Sequence, residues 1–166
     1  MKEGSLPQSI TSSPHTKIIA TEPDVAQLIA SKKNQDRNED GSPASSHPHW
    51  TPHTIQGWTP DFIPLVLQEA VDNNLIDEMI PISGEEGMKS AHELASKEGI
   101  ITGISGGATF AVAMMIAKKA KPGSKILCMI PDTGERYLSS PLFEKIDSEM
   151  NEDEINLLKS TPLFSD

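Results

Sequence analysis

The chain has 166 residues and carries 14 lysines plus arginines against 24 acids, a net charge of −10. That balance excludes the basic surface a phosphate backbone requires, and with it a nucleic-acid-binding role. One cysteine excludes a disulfide framework and suits a reducing compartment, and the opening MKEGSLPQSITSSP holds no apolar run of the kind a signal peptide needs. The expectation is a cytoplasmic protein. Only 36% of residues are hydrophobic and 13 are proline, so the core is expected to be aliphatic and confined to part of the chain.

Residues 1–16 read as a polar leader. The apolar run 17–21 predicts a buried strand, closed by Glu22-Pro23, and Asp24 is placed to cap a short helix reaching about residue 29. From Ser31 to His49 the only aliphatic residue is Ala44, which predicts a flexible insertion over 31–50 with nothing to bury. A proline-stiffened loop follows to Pro64, then a helix over about 65–73. Residues 79–82 read as a strand, and Ser83-Gly84-Glu85-Glu86 as a capping box opening a helix that ends near Gly99. Met88, Ala91, Leu94 and Ala95 are its inward residues.

Residues 100–102 predict a further strand, turning through Gly103-Ile-Ser105-Gly-Gly107 into a helix that runs to about Ala120. That helix is apolar nearly all round and is expected to be buried. Residues 125–130 predict another interior strand. The alternation predicts an α/β fold, a three-layer arrangement around a largely parallel sheet. The acidic tail 146–166 is expected to be solvated, with Ile146, Met150, Ile155 and Leu158 as docking residues.

No charge occurs in the 19 residues between Glu98 and Lys118. Its three central glycines and the lack of flanking aromatics favour a buried strand–turn–helix over a membrane span. Gly103-Ile-Ser105-Gly-Gly107 fits the nucleophile-elbow pattern, but that mechanism needs a histidine after the serine, and all five histidines precede it. What remains is a hydroxyl at a helix start beside free backbone N–H groups, either an ordinary cap or a seat for a ligand's polar edge. His47, His49 and His53 lack the cysteine or acid that would complete a zinc site at a usual spacing, and read as a polar loop. Cys128 reads as a small core residue. Asp132-Thr133-Gly134-Glu135-Arg136-Tyr137 follows a strand end, where ligands meet open α/β sheets, and could equally be a structural turn holding an ion pair.

Four stretches, in order, resemble the C-terminal half of the cysteine synthases (O-acetylserine sulfhydrylases), within the tryptophan-synthase-β-like, fold-type-II pyridoxal-phosphate enzymes. They are Lys17-Ile-Ile-Ala-Thr-Glu-Pro23; Pro52-His-Thr-Ile-Gln-Gly57 with Phe62-Ile-Pro64; Glu98-Gly-Ile-Ile-Thr-Gly-Ile-Ser-Gly-Gly-Ala108; and Pro131-Asp-Thr-Gly-Glu-Arg-Tyr-Leu138 running on to Phe143. They place a partial enzyme-like α/β domain over residues 17–145. The resemblance implies β-replacement at an activated serine, with sulfide as the incoming nucleophile, L-cysteine as product and pyridoxal 5'-phosphate as cofactor.

By position, Ser105 matches the family serine that hydrogen-bonds the pyridine nitrogen, with Gly103, Asp132 and Thr133 beside the ring, while Gln56, Gly57 and Trp58 match the loop that closes over the substrate. A neutral hydroxyl, unlike a carboxylate, does not hold that nitrogen protonated, so the resemblance implies a weaker electron sink and elimination at Cβ. The chain departs from the pattern in three places. Trp58-Thr-Pro-Asp61 replaces a glycine-rich run, and the insertion 31–50 is longer and more polar than usual. None of the twelve lysines lies in a motif like the family's Schiff-base site. The expected partners are therefore a small amino-acid substrate and either a second copy or a complementing N-terminal half; the contrasting expectation is a non-catalytic interaction module that keeps only the fold core.

Overall fold

The computed structural model describes residues 15–147 and 149–160; the expected leader up to residue 14 and the tail after residue 160 lie outside the described residues. Strands β1 (Ile19–Pro23) and β2 (Glu78–Ile82) pair in parallel, with Thr21 opposite Ile80 and Pro23 opposite Ile82. A parallel pair cannot be joined by a hairpin. The connection here carries the polar segment 31–50, the proline-rich loop and helix α1 (Leu65–Asp72). Because side chains alternate along a strand, the two faces of this sheet meet different surroundings. Ile80 and Ile82 join the main core with Ile55, Ala91, Ile104, Ala108, Val112, Tyr137 and Leu142. Ala20, Glu22 and Met79 instead line a cavity of about 290 Å³ with Leu28 and Ile63, which belong to a second, smaller core.

Helix α2 (Gly84–Glu98) begins and ends as its sequence demands. Ser83 accepts a hydrogen bond from the Glu86 amide at 3.1 Å, and Gly99 closes the helix in the left-handed region at φ 70°. The capping box is half formed, since the Glu86 carboxylate takes the Ser83 hydroxyl at 3.3 Å and not its backbone N–H. Helix α3 (Ile104–Ala117) packs on α2 through small residues: a Cβ on Gly107 would stand 2.7 Å from the Ala91 nitrogen, and closer still to the Gly87 carbonyl. This approach brings the first turn of α3 into the core, where Ile104 to Ala108 are all buried. The helix is not buried all round as expected, for Met114 is 44% exposed on its far side.

Other expectations are corrected. Residues 24–29 form turns in place of a helix, because the buried Glu22 carboxylate accepts from the Ile29 and Ala30 amides at 2.8 and 3.0 Å and fixes the chain there. Residues 31–50 do bury side chains, Gln35 and His47. Residues 100–102 and 125–130 join no sheet, so the described sheet has two strands and not four. A strand's N–H and C=O groups need a neighbouring ladder, and here the Ile101 carbonyl accepts a single bond, from the Gly134 amide at 3.2 Å. Leu127 is 98% exposed, and Cys128 beside it is only half-buried, so neither stands in a core. In the tail, Ile146, Met150, Ile155 and Leu158 are all exposed, although Ile146 lines a cavity with Ala91, Ala95 and Ile101; the helix α4 (Glu152–Ser160) has no buried residue.

Candidate functional site

Ser105 lies in the first turn of α3, next to the N-cap Gly103, and is almost fully buried. Its surroundings are polar. The Gly103 amide, left without an intrahelical acceptor by its position, donates to Asp132 Oδ1 at 3.2 Å. The Tyr137 hydroxyl donates to Asp132 Oδ2, and the Thr102 hydroxyl donates to the Asp132 carbonyl at 3.2 Å. The Ser105 hydroxyl stands near enough to the Tyr137 phenol to act on its pKa. The single phenol hydrogen is committed to a carboxylate, which only accepts. The Ser105 hydroxyl thus sits beside a phenol whose hydrogen is already given to Asp132.

Tyr137 ends a short 3-10 helix (Gly134–Tyr137), and its ring stands against Gly103, where a Cβ would lie 2.6 Å from the ring carbon Cζ and 2.9 Å from Asp132 Oδ1. Only glycine fits at 103. The Asp132 hydrogen bond, helped by burial and by the carboxylate's charge, raises the Tyr137 pKa, and the Ser105 hydroxyl and the Arg136 charge pull it down. Thr133 is exposed and turns to Glu135, whose carboxyl it holds below the ordinary range. The ion pair entertained for this segment is not formed among the described residues; Asp132 is taken up by Tyr137 and Gly103.

Gln56 and Gly57 are exposed, with Gly57 in the left-handed region at φ 84°. The residues flanking them, Ile55 and Trp58, pack into the same core as Ile104 and Tyr137. One core thus anchors both the Ser105 turn and the Gln56–Gly57 loop. Trp58 also lines the 290 Å³ cavity, which Ser105 does not reach. Two of the three histidine rings are taken up by backbone, and the His49 ring stands 5.9 Å from that of His47. His47 Nε2 donates to the Lys33 carbonyl at 3.2 Å while its Nδ1 accepts from the His49 amide, and His53 Nε2 donates to the Thr59 carbonyl at 3.0 Å. Among the described residues no group of three metal-ligating side chains converges.

Tyr137 was not singled out by sequence reasoning. The available signal was the sole tyrosine of the chain standing five residues after Asp132 in a stretch already marked as a turn.

An α/β frame with a parallel strand pair and a neutral hydroxyl at a buried helix start defines a class broader than any one activity. Comparison with known proteins narrows it. The profile of the pyridoxal-phosphate dependent enzymes matches residues 6–132, and the chain belongs to that family, whose cofactor is pyridoxal phosphate. It is 40% identical over 134 residues to the O-ureido-L-serine synthase of Streptomyces lavendulae, covering 81% of this chain and 35% of that protein. With the cysteine synthase of Buchnera aphidicola it shares 44% over 96 residues, 57% of this chain and 29% of that one.

Among solved structures, O-ureido-L-serine synthase aligns with a TM-score of 0.69 at 35% identity, over 89% of this chain and 40% of that chain. The cysteine synthase of Entamoeba histolytica aligns with a TM-score of 0.63 at 30% identity, over 91% and 38%. The chain thus spans about a third of the length of the curated relatives it matches. The fold is that of the cysteine-synthase-like, fold-type-II enzymes. No described helix is long and apolar enough to cross a membrane.

Proposed function

We propose that this chain builds the ring-nitrogen side of a pyridoxal-phosphate site for β-replacement on an activated L-serine, yielding L-cysteine when sulfide is the nucleophile. The lysine that anchors the cofactor would come from the part of the family fold these residues do not span. The observation that carries this reading is the buried Ser105 hydroxyl at the start of α3, beside the Tyr137–Asp132 hydrogen bond. The donor set fits the ring nitrogen of that cofactor. Ser105 offers a neutral hydroxyl on a helix turn with unsatisfied N–H groups, and the Asp132 carboxylate is already taken up by the Tyr137 hydroxyl and the Gly103 amide.

When bound, the cofactor supplies an electron sink for bonds broken at the substrate's β-carbon. This chain's residues would do the rest of the work on their side. Ser105 would hold the ring nitrogen by a hydrogen bond from its hydroxyl, while Tyr137 keeps its own bond to Asp132. Asp132 and Thr133 shape the edge beside the ring, and Gln56, Gly57 and Trp58 face the amino acid.

The test joins this chain to the lysine-bearing portion of a related cysteine synthase and follows cofactor absorbance together with cysteine formation from an activated serine and sulfide. Activity is expected, and Ser105→Ala should lower it by roughly tenfold or more, the worth of one well-placed hydrogen bond. With this chain alone, borohydride reduction in the presence of the cofactor should leave no single lysine stoichiometrically labelled; such labelling would overturn the assignment of the lysine elsewhere. The burial of Ser105 beneath Tyr137 favours the contrasting reading, a non-catalytic module. That reading stands if the joined protein neither binds the cofactor nor turns over.

A further inference from the structure

The polar segment 31–50 and the residues just after it converge on one short stretch of backbone. Gln35 Oε1 accepts from the Ile63 amide at 3.2 Å, and Arg37 Nη2 donates to the Ile63 carbonyl. The Ser46 hydroxyl donates to the Asp61 carboxylate, and the His47 amide donates to the Asp61 carbonyl at 2.6 Å. Trp50 Nε1 and His53 Nε2 both donate to the Thr59 carbonyl, at 3.1 and 3.0 Å. Six hydrogen bonds thus land on residues 59–63.

Thr59 is the strained member of this stretch, with φ 36°, a region a β-branched residue seldom occupies. Such a conformation persists only where its surroundings over-determine it, and here two ring N–H donors grip its carbonyl. His53 shows which way the dependence runs. With Nε2 donating, its Nδ1 is a bare acceptor, buried and without a partner among the described residues. The ring is therefore placed for the Thr59 bond and not by a wider network.

We propose that residues 35–53 are a strap that fixes loop 57–63 as a rigid wall, with Trp50 and His53 as positioning residues acting through the Thr59 carbonyl. The strap holds Trp58 in one place between the main core and the 290 Å³ cavity. The wall is thus preformed. Its bearing on substrate selection rests on the reading that Gln56 to Trp58 face the amino acid.

The experiment has two arms. Hydrogen exchange on the chain alone compares the parent with Trp50→Phe, His53→Ala, the double variant, and His53→Gln, whose amide nitrogen can replace the lost donor. Exchange at residues 57–63 should quicken roughly tenfold or more in the double variant, with α2 and α3 unchanged and His53→Gln near the parent. Unchanged exchange in the double variant overturns the strap. So does a general acceleration in which His53→Gln shows no rescue, since the two residues would then be ordinary parts of the core.

In the joined enzyme, the double variant should raise KM for the activated serine more than it lowers kcat. A strap confirmed by exchange with KM unmoved would overturn the role in selection, and would point to a failure of the substrate-loop reading and not of the strap.

Discussion

At the scale of single residues, Tyr137 is where several effects compete and can be ranked. Its hydroxyl is bound to Asp132, it is buried, and the same carboxylate's charge opposes a phenolate; these together outweigh the relief from Ser105 and Arg136, and the pKa lies above the usual 10.0. The folded state therefore holds this proton more tightly than the unfolded one. Stability from this source is complete below the ordinary phenol range and is lost as pH rises through the raised value. The chain has one tyrosine, so phenolate absorbance reports this group alone. A titration of the folded chain should have its midpoint above 10.0, and Asp132→Asn should bring it down toward the ordinary value. A parent midpoint at or below the ordinary value would mean that the Tyr137–Asp132 hydrogen bond does not form.

Among the elements, the contact of α2 with α3 is the tightest feature, and it is made by absent side chains. Gly107 approaches both the Gly87 carbonyl and the Ala91 nitrogen, groups of a helix backbone that cannot turn aside. Gly107→Ala should therefore cost about 1–3 kcal/mol by forcing the helices apart, although alanine is the better helix former. Removing the α2 cap with Ser83→Ala should cost about 1 kcal/mol. Thermal melts of both variants check the order: a Gly107→Ala protein as stable as its parent would show that the helices do not pack this closely.

What could be read from the sequence at this level follows the same logic. Ser83 and Gly99 announce α2 because caps act locally, and the runs before Pro23 and before Ser83 announce β1 and β2. The strands expected at 100–102 and 125–130 could not be settled that way, since apolar composition shows what a segment would bury but not whether a ladder partner stands beside it. The helix expected after Asp24 was lost to a competitor seven residues away, the Glu22 carboxylate on the Ile29 amide. The polar stretch 31–50 defeated an argument from hydrophobicity because it is held by side chains bonding to backbone carbonyls. In the candidate site, the Gly103–Ser105 turn and Asp132 were legible as motifs that the fold brings together. Tyr137 was not, because only the turn of the 3-10 helix brings its ring back over Gly103.

For the whole molecule, two opposed surface properties decide how the chain behaves alone. A net charge of −10 favours separate molecules. Against it stands the segment 125–131, which makes no backbone hydrogen bond to another described backbone and leaves Ile126, Leu127 and Met129 open, Met129 at 70% exposure. Repulsion between surface charges fades beyond about 8 Å at physiological salt, whereas strands pair at about 4.8 Å and burying one leucine contributes about 1.5–3 kcal/mol. The edge should win once salt is present. Sedimentation velocity of the chain alone should show association that strengthens from low to physiological salt, and the double substitution Leu127→Lys, Met129→Lys should abolish it without changing the melting of the α2–α3 core. A parent chain that stays monomeric at both salt concentrations would mean that this edge is covered by something within the chain itself.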